Sequence, residues 1–161
     1  MSFIAVIPAR LASTRLPNKA LLDIGGKAMV VRTAEQALKS GASRVIVATD
    51  AEEIALVTRS AGLETVLTNP EHPTGTDRLS EVVRILDVAP EQIIVNVQGD
   101  EPLINPSSID QVAQALAQNP SASIATLGVP ITEVETLFNA NTVKIVVDHA
   151  DHALYFSRAP I

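Results

Sequence analysis

Cysteine and tryptophan are both missing from this 161-residue sequence, and aromatic residues of every kind amount to 2%. With no thiol there is no disulfide, no thiolate metal site and no cysteine nucleophile, a composition that suits a reducing, cytoplasmic setting. Histidine is scarce too. His72, His149 and His152 are scattered and match no metal-ligand spacing such as HExxH, so no zinc enzyme is indicated. No apolar run approaches the roughly 20 residues that span a bilayer. The opening MSFIAVIPAR has neither a basic n-region nor a small-residue cleavage site, and so does not resemble a secretory signal. Basic residues are outnumbered, 12 Lys and Arg against 18 Asp and Glu, giving a net charge of −6. Such a balance leaves no basic face for nucleic acid or anionic membrane, and any anion site has to be local.

What is present is apolar and alternating. Hydrophobic residues make up 47% and charged residues 19%, enough for one ordinary core, so a single domain over 1–161 is expected. Short β-branched runs alternate with longer amphipathic segments. The pattern predicts strands at 3–7, 44–49, 64–67 and 92–97 and helices at 29–40, 52–60 and 77–86. That alternation implies parallel βαβ units, with IIVNV in the fourth strand suggesting burial on both faces. A further helix is expected over 106–119, capped by Asn105 with Pro106 at its first position, where a missing N–H costs nothing. Beyond it, strands are expected at 123–129, 143–147 and 153–157, with a short helix at 132–137 and His149 and His152 flanking a hairpin. The closing phrase LYFSRAPI runs from a strand into a turn, so the chain reads as C-terminally truncated.

Three constellations carry chemistry. The loop after the first strand, PARLASTRLPNK, holds Arg10, Arg15 and Lys19 and no acid in an otherwise acidic protein. Ligands of open α/β sheets sit beyond the carboxyl ends of the strands, which is where a phosphate chain would meet these cations. Arginine grips phosphate oxygens in a bidentate way and lysine supplies a mobile point charge. A solvated surface loop is the bland alternative for any one of them. Neither GxGxxG nor GxxxxGK[ST] occurs, and Gly25-Gly26-Lys27 reads as a turn.

Where the most hydrophobic strand ends, Asn96-Val97-Gln98-Gly99-Asp100-Glu101-Pro102 brings Asp100 to the same sheet edge. A carboxylate there can hold Mg²⁺, which usually takes one or two protein carboxylates plus phosphate oxygens and waters. Gln98 either points into the cleft or bonds to backbone, and a plain turn with exposed carboxylates is the alternative for Asp100 and Glu101. In the third constellation, Pro73-Thr74-Gly75-Thr76-Asp77-Arg78, Thr76 or Asp77 is a candidate helix cap. Arg78 stands at the wrong end of a helix dipole for a cation, a conflict that a nearby anion would resolve. Asp50, also at a strand's carboxyl end, is expected to cap the helix containing Glu52 and Glu53, and His72 to be an ordinary loop residue.

IPARLASTRLPNKALLDIGGKAM, TGTDRL, IIVNVQGDEPLI and LYFSRAPI together resemble the 3-deoxy-manno-octulosonate cytidylyltransferase (CMP-Kdo synthetase) family along essentially the whole chain. The first motif is shared widely among sugar nucleotidyltransferases; its combination with TGTDR, QGDEP and YFSR is far more specific. The resemblance implies a Rossmann-like α/β nucleotidyltransferase fold, with a mostly parallel central sheet flanked by helices. It implies a cytoplasmic, homodimeric enzyme that joins CTP to Kdo, releasing pyrophosphate, for lipopolysaccharide biosynthesis, with Mg²⁺ as cofactor.

By the same resemblance, Arg10, Arg15 and Lys19 are triphosphate ligands and Thr74, Gly75, Thr76 and Arg78 belong to the cytidine site. Asp100 is the metal ligand, Gln98 lies against nucleotide or sugar, and Arg10, Arg15, Lys19 and Asp100 form the catalytic set. Asn18 stands where the family commonly has Gly, and Ala20 where it commonly has Pro; Asn still reaches the left-handed conformation such a position needs. Most of the sugar-acid pocket, a second metal-binding aspartate and much of the dimer interface lie beyond position 161 in the family. A cytidylyltransferase for another sugar acid such as neuraminate therefore stays open, as does an inactive nucleotide-binding fragment.

Overall fold

Seven residues, Phe3–Ala9, form β1, the strand around which the first part of the fold is built. The computed structural model describes residues 2–11 and 16–161, in two compact units, Met1–Ala125 and Thr126–Ile161. In the first unit, α1 (Met29–Ala37), β2 (Arg44–Thr49), α2 (Glu52–Ser60), β3 (Glu64–Leu67), α3 (Gly75–Ile85), β4 (Ile93–Asn96) and α4 (Pro106–Gln118) follow β1 in chain order. The strands make one sheet of order β3-β2-β1-β4, and every pairing in it is parallel. The α/β expectation is thus met.

Alternation along β1 builds two cores. Phe3, Ala5, Ile7 and Ala9 face one side, packing with Val30 and Ala34 of α1, Ile54 of α2 and Ile109 of α4. Ile4 and Val6 face the other, with Ile46 of β2 and Leu79 and Val82 of α3. Fully buried aliphatic side chains such as Ile7 and Ile46 each contribute about 1.5–3 kcal/mol relative to exposure. The expectation of two-sided burial for the fourth strand holds in part. Ile93, Val95 and Val97 pack on the first core and Ile94 on the second, but Ile93 and Ile94 are only partly buried and Asn96 is exposed, β4 being the edge strand of the described sheet.

Helix α4 begins as its sequence dictates, with the Asn105 side chain accepting from Ser107 N–H at 3.1 Å and Pro106 in the first turn. Helix α1 stops three residues short of expectation because the chain tightens after Ala37, where Lys39 N–H and Ser40 N–H bond carbonyls three residues back. Gly25 and Gly26, at φ of 62° and 85°, make the expected turn.

The second unit holds α5 (Val134–Phe138) and an antiparallel hairpin of β5 (Lys144–Val147) and β6 (Ala153–Ser157), with His149 and His152 in the connection. Lys144, only 3% exposed, donates to the carbonyls of Asn139, Thr142 and Arg158 at 2.6, 2.9 and 2.7 Å. All three of its donors are satisfied. The strand expected at 123–129 is not formed: Ile124 and Val129 are 83% and 86% exposed, and the segment joins no ladder among the described residues. Apolar periodicity alone does not make a strand without a neighbour to pair with and a surface to pack on.

Candidate functional site

Because β2 lies on one side of β1 and β4 on the other, the chain reverses its direction across the sheet between β1 and β4. A crevice opens at the carboxyl ends of two strands whose connections diverge this way, and ligands of open α/β sheets bind there. The loops leaving β1 and β4 carry the first two sequence constellations. A cavity of about 160 Å³ sits at this edge, lined by Pro8, Ala9, Arg10, His72, Pro73, Thr74, Gly75, Arg78 and Gln98. All three constellations thus reach one place.

Lys19 lies in a single 3-10 turn, Lys19–Leu21, entered through Asn18 at φ 55° and ψ 27°. Asn18 therefore adopts the left-handed conformation that the position requires, without glycine. The turn directs Lys19 Nζ to Asp100 Oδ2, 2.5 Å away. The side chains are 36% and 48% exposed, so the pair itself is worth about 0–1 kcal/mol and both groups are readily exchanged onto other partners.

Gly99 explains how the β4 loop comes so close to β1. A Cβ added there would stand 2.7 Å from the Pro8 carbonyl oxygen, closer than any side chain tolerates against backbone. The Thr33 hydroxyl of α1 donates to the Gly99 carbonyl at 3.2 Å and fixes the turn from the other side. Gln98 is exposed and lines the cavity. Arg10 is likewise exposed on the cavity wall, whereas Arg15 lies outside the described residues.

At α3 the cap differs from both expected candidates. Thr74 is the N-cap: its hydroxyl accepts from Asp77 N–H at 3.2 Å, and the Asp77 carboxylate accepts from Thr74 N–H at 3.2 Å, a reciprocal capping box. Thr74 wins because Asp77, three positions on, completes the box, which Thr76 lacks. Thr74 and Gly75 are exposed and line the cavity, whereas Thr76 is exposed and is not part of its lining.

Arg78 does have a nearby anion, and it belongs to the protein. Its Nη2 donates to Asp50 Oδ2 at 2.7 Å and its Nη1 to the Thr68 hydroxyl, with the Arg78 side chain 3% exposed and Asp50 10%. Asp50 accordingly does not cap α2. The N-cap is Ala51, without a side-chain bond, and the buried guanidinium outcompetes a solvated helix end for the carboxylate.

His72 escaped sequence reasoning, which saw only a loop residue. It borders the cavity, and its Nε2 lies 2.5 Å from Glu81 Oε2. The Asn69 N–H, at 2.8 Å, and then His72 hold the Glu81 carboxyl below its ordinary 4.5. Asp50 gave the same signal as Asp100, an aspartate just past a strand's carboxyl end.

Metal-binding character rests on Asp100 alone. Among the described residues no group of three His, Asp or Glu side chains converges. A single accessible carboxylate is compatible with Mg²⁺, a hard cation that takes one or two protein carboxylates and completes its shell with phosphate oxygens and water. No helix among the described residues is long and apolar enough to cross a membrane.

Comparison with known proteins agrees with this fold. The chain is similar to the solved CMP:2-keto-3-deoxy-manno-octonic acid synthetase complexed with CTP, at a TM-score of 0.91 and 41% identity over 99% of this chain and 65% of that one. The resemblance read from the motifs is thereby borne out, and the chain spans about two-thirds, 65%, of that relative's length. A nucleotidyl transferase from Methanothermobacter thermautotroptrophicus is similar at a TM-score of 0.60 and 24% identity, over 70% of this chain and 56% of that one. A Mycobacterium tuberculosis protein in complex with manganese follows at 0.51 and 17%, over 70% and 59%. These last two show the nucleotidyltransferase-like fold alone. A family profile described as cytidylyltransferase matches residues 4–161, and the chain belongs to the cytidylyltransferase family.

Proposed function

We propose that this chain is the nucleotide-binding portion, over 1–161, of an enzyme transferring CMP from CTP to 3-deoxy-D-manno-octulosonate, with release of pyrophosphate, for lipopolysaccharide biosynthesis. The observation that carries the reading is the meeting of Lys19 and Asp100 at 2.5 Å across the crevice between β1 and β4, beside a cavity bordered by Arg10, Gln98 and the start of α3. Cations and one carboxylate at that edge suit a triphosphate with its metal. The 41% identity to a synthetase of this substrate pair supports the choice of nucleotide and sugar acid.

In this reading Arg10, Arg15 and Lys19 bind the triphosphate, and Thr74, Gly75, Thr76 and Arg78 form the wall toward cytidine. Gln98 lies between nucleotide and sugar. The anomeric hydroxyl of the sugar acid attacks the α-phosphorus and gives up its proton to solvent, its oxygen forms the new P–O bond, and the bond to the pyrophosphate oxygen breaks. The protein's part is to align these atoms and to present fixed positive charge to the phosphoryl oxygens and the departing pyrophosphate. No protein nucleophile is needed. Asp100 would hold Mg²⁺, which when bound supplies further neutralisation of phosphate charge.

The test is pyrophosphate release from CTP and Mg²⁺ with Kdo or neuraminate offered separately. Kdo-dependent release is expected. Release with neuraminate alone would replace the sugar acid, and CTP binding with no release on either would reduce the chain to a nucleotide-binding unit.

A further inference from the structure

Arg78 joins three loops that the chain keeps far apart. Its guanidinium bonds Asp50, just after β2, and the hydroxyl of Thr68, just after β3. Thr68 in turn donates to the Thr49 carbonyl at 3.1 Å. The second oxygen of Asp50, Oδ1, accepts from the backbone N–H of Leu11 at 3.4 Å. Leu11 follows Arg10 directly, in the loop after β1. The network therefore runs from the first turn of α3 to the backbone that carries Arg10.

Burying an ion pair is a poor route to stability, since apolar residues of similar size often serve as well. What the pair supplies is direction. The guanidinium, itself anchored on Thr68, holds one oxygen of the Asp50 carboxylate, and that carboxylate offers its other oxygen to Leu11. Arg78 borders the cavity, yet both of the donors described here are committed to protein partners.

We infer that Arg78 and Asp50 are positioning residues: the pair holds the Leu11 backbone, and with it Arg10, in the orientation that faces the triphosphate. The inference rests on reading the cavity as a nucleotide site, and it assigns Arg78 a role through Asp50 instead of a direct grip on the nucleotide. A link to the phosphate side has a signature that a merely structural pair lacks. It should matter far more for a triphosphate than for a monophosphate.

The experiment uses the paired replacement Asp50→Leu/Arg78→Met, which removes the link without stranding a buried charge. Binding of CTP and of CMP is measured by calorimetry, and amide exchange at Leu11 is compared with that of β1 so that global destabilisation is not mistaken for loss of the link. Any loss that Arg78 causes at the cytidine wall is common to both nucleotides, so the affinity for CTP should fall about tenfold further than that for CMP, and Leu11 should exchange faster relative to β1. Parallel losses of CTP and CMP, or a Leu11 amide that exchanges as before, overturn the inference. If the unaltered chain binds neither nucleotide, the cavity reading is what fails, and Leu11 exchange still decides whether the pair holds the loop.

Discussion

Lys19 Nζ and Asp100 Oδ2 stand 2.5 Å apart although 81 positions separate them in the chain. Both are half-exposed, so the pair adds little to stability and is suited to exchange partners with a phosphate and a metal. Lys19→Ala should shift stability by no more than about 0.5 kcal/mol while weakening CTP binding by about 1.5–3 kcal/mol, the range for a hydrogen bond to a charged group. Calorimetry with CTP and a thermal melt separate the two. A large loss of stability with unchanged affinity would make Lys19 structural.

Asp100→Asn keeps the size of the side chain and removes its charge. Nucleotide affinity in Mg²⁺ should fall more than affinity measured in chelator, because only the first includes a metal on the carboxylate. Equal losses in the two conditions would undo the metal assignment.

Gly99→Ala tests the close approach of the β4 loop to β1. The added methyl would sit 2.7 Å from the Pro8 carbonyl oxygen, a backbone atom that cannot rotate away. A loss of about 1–3 kcal/mol is expected, as for other overpacked sites, together with weaker CTP binding as the crevice is forced open. Denaturant midpoints and calorimetry give both numbers; an unperturbed variant would mean that the two loops are free to separate.

Arg78→Met alone should cost about 3–5 kcal/mol, because it leaves the 10% exposed Asp50 carboxylate without its partner. The paired Asp50→Leu/Arg78→Met should recover most of that loss in urea unfolding. If the single and paired variants are equally unstable, the pair is not coupled.

The acid limb of stability should depend in part on Glu81. Its carboxyl is held below the ordinary 4.5, first by the Asn69 N–H and then by His72. A lowered carboxyl pKa means that the unfolded chain binds protons first. The stabilisation is therefore complete above about pH 4.5 and is lost as pH falls through the lower folded value. Glu81→Gln should flatten the fall in unfolding midpoint between neutral and acidic pH. An unchanged slope would mean that Glu81 carries none of it.

Local chemistry was legible from the sequence because it depends on neighbours in the chain. The bounds of β2, α2 and β3 follow directly from their apolar periods, as does the Asn105 cap with Pro106 behind it. The gathering of the crevice residues was legible for a related reason: Arg10, Gln98 and Asp100 stand just past a strand and Lys19 lies in the connection that leaves one, and a parallel sheet sends the strand ends to one edge. The 123–129 segment misled because a run of apolar residues says nothing about whether a strand lies beside it. The same gap hid the edge position of β4, which strand order decides and no local pattern encodes.

Partnership was the part left to tertiary structure. Arg78 announced a missing anion, but a helix dipole argument cannot say which one, and Asp50 looked like a cap as long as only its own helix was in view. Folding brings the ends of β2 and β3 and the start of α3 together, where a buried guanidinium draws a carboxylate more strongly than a solvated helix end does. By itself the sequence determined the alternating α/β pattern and the residues at the sheet's carboxyl edge, since periodicity and strand ends are local properties. Which of those residues line the cavity, and which face one another, only the packed structure decided, because such contacts depend on distances that the linear order does not contain.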